Sequence, residues 1–569
     1  MATPFDSRVQ NVVYQLEVGV GARILKAFLY VLFMTLLALL FVANQYVGFH
    51  NARAMDQAQL ARNFSRSGEL NTQVVRPAVM RHLREKGKPV NPTRPPDTVN
   101  APVYPMVLGA AFKVFGVEFP QPTRSRYAPE QWVVVPLNLL WCFLAGLFLY
   151  LMGLRLFDPR VALTAATVYF LSGGVWSHAV GGTELSLALF LATFGFWCLL
   201  RTIREGNAPG SAVWRVLVPA VFCAVALWLL FLTRYAAGVL IPGVLLVLFL
   251  GLRKRGWVPA LVVVAVVAGG TAPWVARNLK VTGEPFGHAP SLALHQQQYD
   301  LNLRSLTPLE NEEFAVARQA AVRGLDLLDS VFTLRNVGFG AGVVFCLFVA
   351  TYFYSFRRGE VRHLRWGVLL SFLLLLVASG VFGVDNLEVA SVFVPVVLLY
   401  GTAFFYLLLD RMQIGVRIVS LAVIALFVLV QSIPLVRAMM PPKPSSYPPY
   451  HARDIGFVTR PFEPGELFCS DMPWATAWYG DQLSLYLPAS LAEFYRYHDD
   501  IQPVNALYFT LRTRDLPYHS ALFRGPYRSW RPIMELSQLP RGFPLTTTLP
   551  PLRGGEQILL ADRNRWQSR

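Results

Sequence analysis

Two adjoining stretches decide how this chain is read: Ile24-Leu-Lys-Ala-Phe-Leu-Tyr-Val-Leu-Phe-Met-Thr-Leu-Leu-Ala-Leu-Leu-Phe-Val-Ala-Asn44, then Gly48-Phe-His-Asn-Ala-Arg-Ala-Met-Asp56-Gln-Ala-Gln-Leu-Ala-Arg-Asn63. The first has the ~20 apolar residues that cross a bilayer. It follows a polar N-terminus and is too long for a cleaved signal peptide, so it reads as a retained anchor. The second reads as a short amphipathic helix near the point where the chain leaves the membrane. It carries one carboxylate, Asp56. Taken locally, Asp56 is either a water-facing acid on an interfacial helix or a general base acting on a lipid-borne substrate.

Composition extends the membrane reading to the whole chain. Of 569 residues, 54% are hydrophobic and 15% charged. The apolar residues come in long runs rather than in amphipathic periods. The net charge of +17 does not require nucleic acid. Many Lys and Arg lie in short loops between apolar runs, where membrane topology accounts for them, and others lie where anionic lipid headgroups would meet them. Four of the five cysteines, Cys142, Cys198, Cys223 and Cys346, fall inside apolar runs. No disulfide framework or cysteine-rich zinc site can be read from that pattern.

Candidate spans cover 24–44, 131–152, 161–178, 184–201, 213–233, 236–252, 258–275, 338–355, 366–384, 389–409 and 416–435, about eleven helices by hydropathy. Alternate short loops carry Arg155 and Arg160; Arg201 and Arg204; Arg253 to Arg255; Arg357 to Arg365; and Arg411 and Arg417. The positive-inside rule then puts the N-terminus (1–23) in the cytoplasm of a multi-pass inner (plasma) membrane protein. An odd number of crossings puts the C-terminus on the far, periplasmic side. Three long polar segments share that extracytoplasmic face: a first outer loop (45–130), a second (276–337) and the C-terminal segment (436–569).

The first outer loop reads as a helix over 52–67, a Pro-rich stretch over 89–102, and a second amphipathic helix from Tyr104 to Val117 burying Met106, Leu108, Ala111 and Phe112. The second reads as a helix near 308–328. After the linker Pro441-Pro-Lys-Pro-Ser-Ser-Tyr-Pro-Pro449, strand signals at 466–470, 483–487 and 506–511 alternate with a helix signal at 473–480, so 436–569 reads as a small α/β domain.

Almost no ionisable residue lies near the middle of a span, although ion-coupled transporters keep such residues there. Polar groups gather instead at the outer helix ends: Asp56, His178, Glu184, Arg234, Tyr235, Arg277, Lys280, Asp385 and Glu388. Carboxylates beside cations at a lipid interface suit transfer from a polyprenyl-phosphate sugar. A carboxylate takes the proton of an acceptor hydroxyl, and Arg and Lys stabilise the departing phosphate. Arg53 and Arg62, three and six residues from Asp56, are near enough to approach that headgroup.

Four segments together resemble the GT-C superfamily of membrane glycosyltransferases, in the bacterial family 39-like branch of protein O-mannosyltransferases and the lipid A aminoarabinose transferase. They are Met55-Asp56-Gln to Arg62-Asn63 ahead of Gly68-Glu-Leu; Ala101-Pro-Val-Tyr-Pro-Met-Val-Leu108; Leu232-Thr-Arg234-Tyr235; and Pro273-Trp274-Val-Ala-Arg277-Asn278. The resemblance implies a GT-C-like domain over 24–435, inverting transfer, Asp56 as base and Arg277 near the lipid phosphate. Many members carry an acidic pair in the first loop; here Gln57 follows Asp56, and Asp-x-Asp is absent there and from the second outer loop. The expected chemistry is therefore metal-independent, with no cofactor. Expected partners are a polyprenyl-phosphate sugar, a lipid, glycan or protein acceptor in the cell envelope, and membrane lipids, with no nucleic acid.

Three local alternatives stay open. Glu184 either orients substrate or is a helix N-terminal acid favoured by the macrodipole. Asp471, Trp474 and Trp478 form either a sugar-stacking site or the capped core of the last domain. His288 and His295 are either a metal pair or surface histidines. For the whole chain, the alternatives to an enzyme are a flippase or transporter for a lipid-linked sugar and a non-catalytic membrane assembly protein.

Overall fold

A computed structural model describes residues 20–88, 91–290, 304–306, 321–322, 324–325, 342–382, 386–440, 451–510, 526–534, 539–549 and 557–565. The chain enters through α1 (Val20–Gln45). The first outer loop then holds α2 (Ala52–Ser67), β1 (Val74–Val75), α3 (Pro77–Glu85) and α4 (Val103–Val114). The bundle continues with α5 (Val135–Leu156), α6 (Pro159–Phe170), α7 (Gly173–Gly181), α8 (Leu185–Asn207), α9 (Val213–Thr233), α10 (Leu240–Leu252) and α11 (Trp257–Thr282). It resumes with α12 (Val343–Ala350), α13 (Gly359–Phe382), α14 (Asn386–Ala390), α15 (Val394–Arg411) and α16 (Arg417–Met439). The C-terminal segment holds α17 (Ala452–Thr459), β2 (Leu467–Ser470), α18 (Pro473–Gly480), β3 (Leu483–Tyr486), α19 (Leu491–Asp500), β4 (Ala506–Phe509), β5 (Thr547–Leu549) and β6 (Ile558–Ala561).

Among the described residues, nine helices are long and apolar enough to cross a membrane. The span expected at 161–178 is not one helix. It is α6 and α7, broken at Leu171–Ser172, where Ser172 is extended (φ −80°, ψ 117°). Ser172-Gly173-Gly174 is a poor helix interior, and the indole N–H of Trp176 caps the buried end of α6 at the Phe170 carbonyl, 2.6 Å away. The twelve residues of α6 reach ~18 Å, short of a ~30 Å hydrocarbon core. The helix expected at 338–355 is described only as the short apolar stretch Val343–Phe353. The helix expected near 308–328 lies almost wholly outside the described residues.

Helix α2 has local stop signals at both ends. The Asn51 side chain accepts from the Arg53 N–H at 2.8 Å, and Gly68 (φ 74°) closes the C-terminus with a bond to the Phe64 carbonyl. Its setting differs from an interfacial helix. Residues 54–62 are all buried, polar faces included. Small residues allow this: a Cβ on Gly109 of α4 would stand 2.6 Å from the Ala61 carbonyl, so α2 and α4 pack backbone to backbone. In α4, Leu108 and Phe112 are buried as expected, but Met106 is turned outward; the inner face is made with Val103, Tyr104, Pro105 and Gly109 instead.

One mixed sheet has the order β1-β3-β2-β4-β6-β5. Strands β1, β3, β2 and β4 run parallel, and β6 and β5 form the antiparallel edge. The expected elements of the last segment are present, but the sheet is not confined to that segment. Its edge strand β1 comes from the first outer loop, pairing Val74 with Ser484 and Val75 with Leu485. Trp478 of α18 is fully buried and fixes this union. Its ring meets Phe49, Phe112, Phe119 and Tyr127 at centroid distances of 5.4–6.4 Å, and its indole donates to Glu130 at 2.6 Å. The 45–130 loop, the described residues that follow α11 and the C-terminal segment thus meet at one end of the bundle, with His288 against Thr98 and the Arg304 carbonyl accepting from the Ala489 N–H. The arginine-rich loops meet at the other, where Arg358 donates to the Leu156 carbonyl and Arg160 pairs with Asp410.

Candidate active site

Asp56, the fifth residue of α2, looks toward the β1–α3 and Pro-rich segments, and it is nearly enclosed, 8% exposed. Its two oxygens are treated differently. Oδ2 accepts from Arg76 Nη2 at 2.5 Å and from Asn100 Nδ2 at 2.9 Å. Oδ1 accepts from Gln59 Nε2 at 3.1 Å. Gln59 is one turn further along the same helix and is itself anchored to Thr72. Arg76 is the residue before α3, whose first residue is Pro77. Pro77 sets the helix start and leaves Arg76 extended, pointing back at Asp56.

Asp97 stands behind this pair. Its Oδ2 accepts from the Asn100 backbone N–H at 2.9 Å, and Arg76 Nη1 approaches its Oδ1 at 3.8 Å. Such a turn, in which an Asp side chain takes the N–H of a residue just ahead, holds the Pro-rich stretch in shape. Burial and the neighbouring Asp56 charge push the Asp97 carboxyl above its ordinary range, against the pull of Arg76. The Asp97 carbonyl accepts from Arg277 Nη1 at 2.6 Å. Arg277 lies over the Trp274 ring, 4.9 Å from its centroid, and Trp274 donates to the Tyr235 hydroxyl at 2.7 Å. Tyr235 therefore supports the platform on which Arg277 rests.

A second cluster adjoins through Arg53. Glu184 Oε1 receives Arg53 Nε and Arg234 Nη1, each at 2.9 Å, and Arg234 also reaches Glu388 Oε2 at 3.1 Å. Glu184 and Arg234 are buried, whereas Arg53 and Glu388 are part exposed. Gly182 (φ 71°) makes the turn before Glu184; a Cβ there would strike the Phe49 ring at 2.2 Å. Glu184 stands at the N-terminus of α8, as the macrodipole reading expects, but its side chain makes no cap bond and is taken up by the two arginines.

The expected residues thus separate into groups. Asp56 and Arg277 meet through Asn100 and Asp97, and Arg53, Glu184, Arg234 and Glu388 meet one another. Arg62 does neither. It is fully buried and donates to the Trp478 and Ala477 carbonyls at 2.8 and 2.7 Å, to Gln73, and to Asp481 at 3.0 Å. It straps α2 to α18, because nine residues beyond Arg53, more than two turns along α2, the side chain faces the C-terminal segment. Lys280 is exposed, and its carbonyl receives Lys88 Nζ at 3.1 Å. Asp385 and His295 lie outside the described residues. His288 is buried against Thr98 (Nδ1 to Oγ1, 2.9 Å) and edge-on to His82. Burial pushes the His288 imidazole down to about 3, the behaviour of a neutral packed ring. Asp471 accepts from the Thr510 N–H and hydroxyl at 3.0 and 2.9 Å, and Trp474 and Trp478 are buried, so that segment is core. Among the described residues, no group of three or more His, Cys, Asp or Glu side chains is placed to hold a metal ion.

Arg76, Asn100, Asp97 and Gln59 were not legible as site residues. The Pro96-Asp97-Thr98-Val99-Asn100 turn signal was available, but nothing local says that it closes on Asp56.

No family model and no curated protein matches the sequence. Solved structures do match. ArnT from Cupriavidus metallidurans, a lipid A aminoarabinose transferase bound to undecaprenyl phosphate, superposes with a TM-score of 0.57 at 14% identity, covering 94% of this chain and 98% of that one. The Archaeoglobus fulgidus oligosaccharyltransferase in complex with Zn and sulfate gives 0.56 at 14% identity, covering 86% and 69%. The archaeal oligosaccharyltransferase AglB from Archaeoglobus fulgidus, with an inhibitory peptide and a dolichol-phosphate, gives 0.53 at 13%, covering 88% and 72%. The multi-pass helical bundle with its small sheet therefore shares the fold of the GT-C membrane glycosyltransferases.

Proposed function

We propose that this protein is an integral-membrane glycosyltransferase that moves a sugar from a polyprenyl-phosphate donor to an acceptor hydroxyl, with inversion. Asp56 is the general base. The observation that carries this is the asymmetry of the Asp56 carboxylate. Oδ2 is held by Arg76 and Asn100, whereas Oδ1 has, among the described residues, a single 3.1 Å bond from Gln59. One oxygen fixes the group and the other has a lone pair for a proton.

In the reaction the acceptor oxygen forms a bond to the anomeric carbon while the bond from that carbon to the phosphate oxygen breaks. The acceptor proton passes to Asp56. The bonding electrons leave on the polyprenyl phosphate, and Arg277 stabilises that charge, its guanidinium prealigned by Trp274. Fixed guanidinium groups take the charge-stabilising role, so transfer proceeds without an added divalent cation. The site works at the end where the long polar segments meet, with the arginine-rich end in the cytoplasm.

The test is purified protein with radiolabelled polyprenyl-phosphate sugar and a hydroxyl acceptor, wild type against Asp56→Asn. Wild type consumes donor and the variant does not, while both bind it. Equal rates would remove Asp56 as base. Donor bound but never consumed by folded wild type would favour a transporter or an assembly protein.

A further inference from the structure

At the end of the bundle opposite Asp56, two recesses adjoin. One, of about 510 Å³, is walled by Phe194, Trp197, Val218 and Phe222, with Arg201 and Arg215 at its rim. The other, of about 950 Å³, lies between α5, α8 and the start of α13, and carries Arg155, Arg204 and Arg358. They share Trp197, Arg201 and Glu205. We propose that this double recess is a seat for an anionic membrane phospholipid, taking its phosphate among the arginines and its acyl chains along the apolar wall.

Three observations meet here. The first is charge. Five arginines line the two recesses against two carboxylates, Glu205 and Glu360. Arg155 turns toward Glu360 at 3.7 Å, but no ion pair is formed by Arg201, Arg204 or Arg215 among the described residues, and all three are exposed. The second is preorganisation. Arg201 lies 5.5 Å from the Trp197 ring centroid, and Arg215 lies 5.4 Å from that of Trp214. A stacked guanidinium keeps its N–H fork for a phosphate and loses little freedom on binding it. The third is depth. The recess sits where α8 ends and α9 begins, at the arginine-rich end of two membrane-length apolar helices, and its wall continues into exposed aromatic rings, Phe222 at 52% and Trp214 at 63% exposed. An anion alone would use the rim and leave the apolar wall wet. A zwitterionic lipid would bring its own cation among the arginines. An anionic diacyl lipid satisfies both surfaces.

The experiment is native mass spectrometry of the full chain in detergent, titrated with phosphatidylglycerol or with phosphatidylcholine of the same acyl chains. Wild type should retain phosphatidylglycerol preferentially at low stoichiometry. Arg201→Gln with Arg215→Gln should weaken retention on the order of tenfold or more, while Arg417→Gln, an exposed arginine at the same end but outside the recess, should not. Arg201→Lys keeps the charge but loses the planar fork, and should fall between the two. Both recess variants alter exposed side chains, and their thermal transitions should match wild type. Unchanged retention by the double variant overturns the proposal. So does equal loss in Arg417→Gln, which would mean diffuse charge, or displacement of the lipid by millimolar inorganic phosphate, which would mean an anion site that ignores the acyl chains.

Discussion

Two carboxylates sit close to helix α2, and their surroundings are opposite. Asp56 shares one guanidinium with a second acid: Arg76 lies between Asp56 and Asp97, and amides from Asn100 and Gln59 complete the cluster. Glu184 instead concentrates two guanidinium groups, Arg53 and Arg234, on one oxygen, with Glu388 balancing the set. The first arrangement leaves a carboxylate oxygen lightly held. The second gathers two guanidinium groups on Oε1 of a fully buried acid and leaves Oε2 buried with no hydrogen-bond partner among the described residues. An acid that must accept a proton is served by the first, where two acids share one guanidinium; an acid that joins α2 to the ends of α8 and α9 is served by the second, where two guanidinium groups oppose its protonation. A cluster of charges at a membrane interface is therefore not one kind of feature, and the balance of guanidinium groups against carboxylates around each acid tells the two apart.

The contrast can be broken at its strongest point first. Asp56→Asn keeps the shape of the side chain and removes the base, and should cut transfer per folded molecule ~10²–10⁴-fold; Arg76 loses its 2.5 Å partner but keeps Asp97 beside it, so the accompanying stability loss should be smaller than for Glu184→Gln. Single-turnover assays with labelled donor measure it. Glu184→Gln should do the reverse. Removing one partner of a buried ion cluster costs about 3–5 kcal/mol, read as a lower denaturant midpoint. Donor turnover by the remaining folded protein should stay closer to wild type than in Asp56→Asn. If the two variants exchange phenotypes, the assignment of roles is inverted.

Arg277→Ala tests the leaving-group side. Loss of one prealigned charge-stabilising donor should lower turnover ~10²–10³-fold, and Arg277→Lys should restore part of it. A change confined to KM would mean that Arg277 only binds the donor. The smallest expected effect concerns the strap at the far end of α2. Burial opposes ionisation of Asp481, but Arg62, Gln73 and Arg66 hold its carboxyl below the ordinary carboxylate range. A depressed folded value means that its contribution to stability is complete above the unfolded value of ~3.9 and is lost as pH falls through the folded one. The stability difference between wild type and Asp481→Asn should hold constant from neutral pH to about 4 and shrink below it. Unfolding transitions followed across that range decide the point.

Much of this was written locally. The apolar runs, the caps of α2 at Asn51 and Gly68, and the alternation of strand and helix from Leu467 to Phe509 follow from residue types and short spacings. The break between α6 and α7 also had a local sign in Ser172-Gly173-Gly174, masked by the apolar residues around it. Arg62 shows where local reading ends. Beside Asp56 in sequence it suggested a phosphate ligand, yet its partner is the Trp478 carbonyl, 416 residues away. Arg76 and Asn100 reach Asp56 across 20 and 44 residues, and β1 enters a sheet whose other strands all lie beyond residue 466. By itself, the sequence determined which segments are apolar enough to leave water, where helices start and stop, and that one acid stands just outside the first crossing. Hydropathy and capping depend on neighbours within a few residues. Only the tertiary structure decided that α2 is enclosed, that one Asp56 oxygen is pinned and the other lightly held, and that Glu184 is an ion-pair hub. Burial and charge pairing are made by contacts between distant segments, and no short window of residues contains both partners.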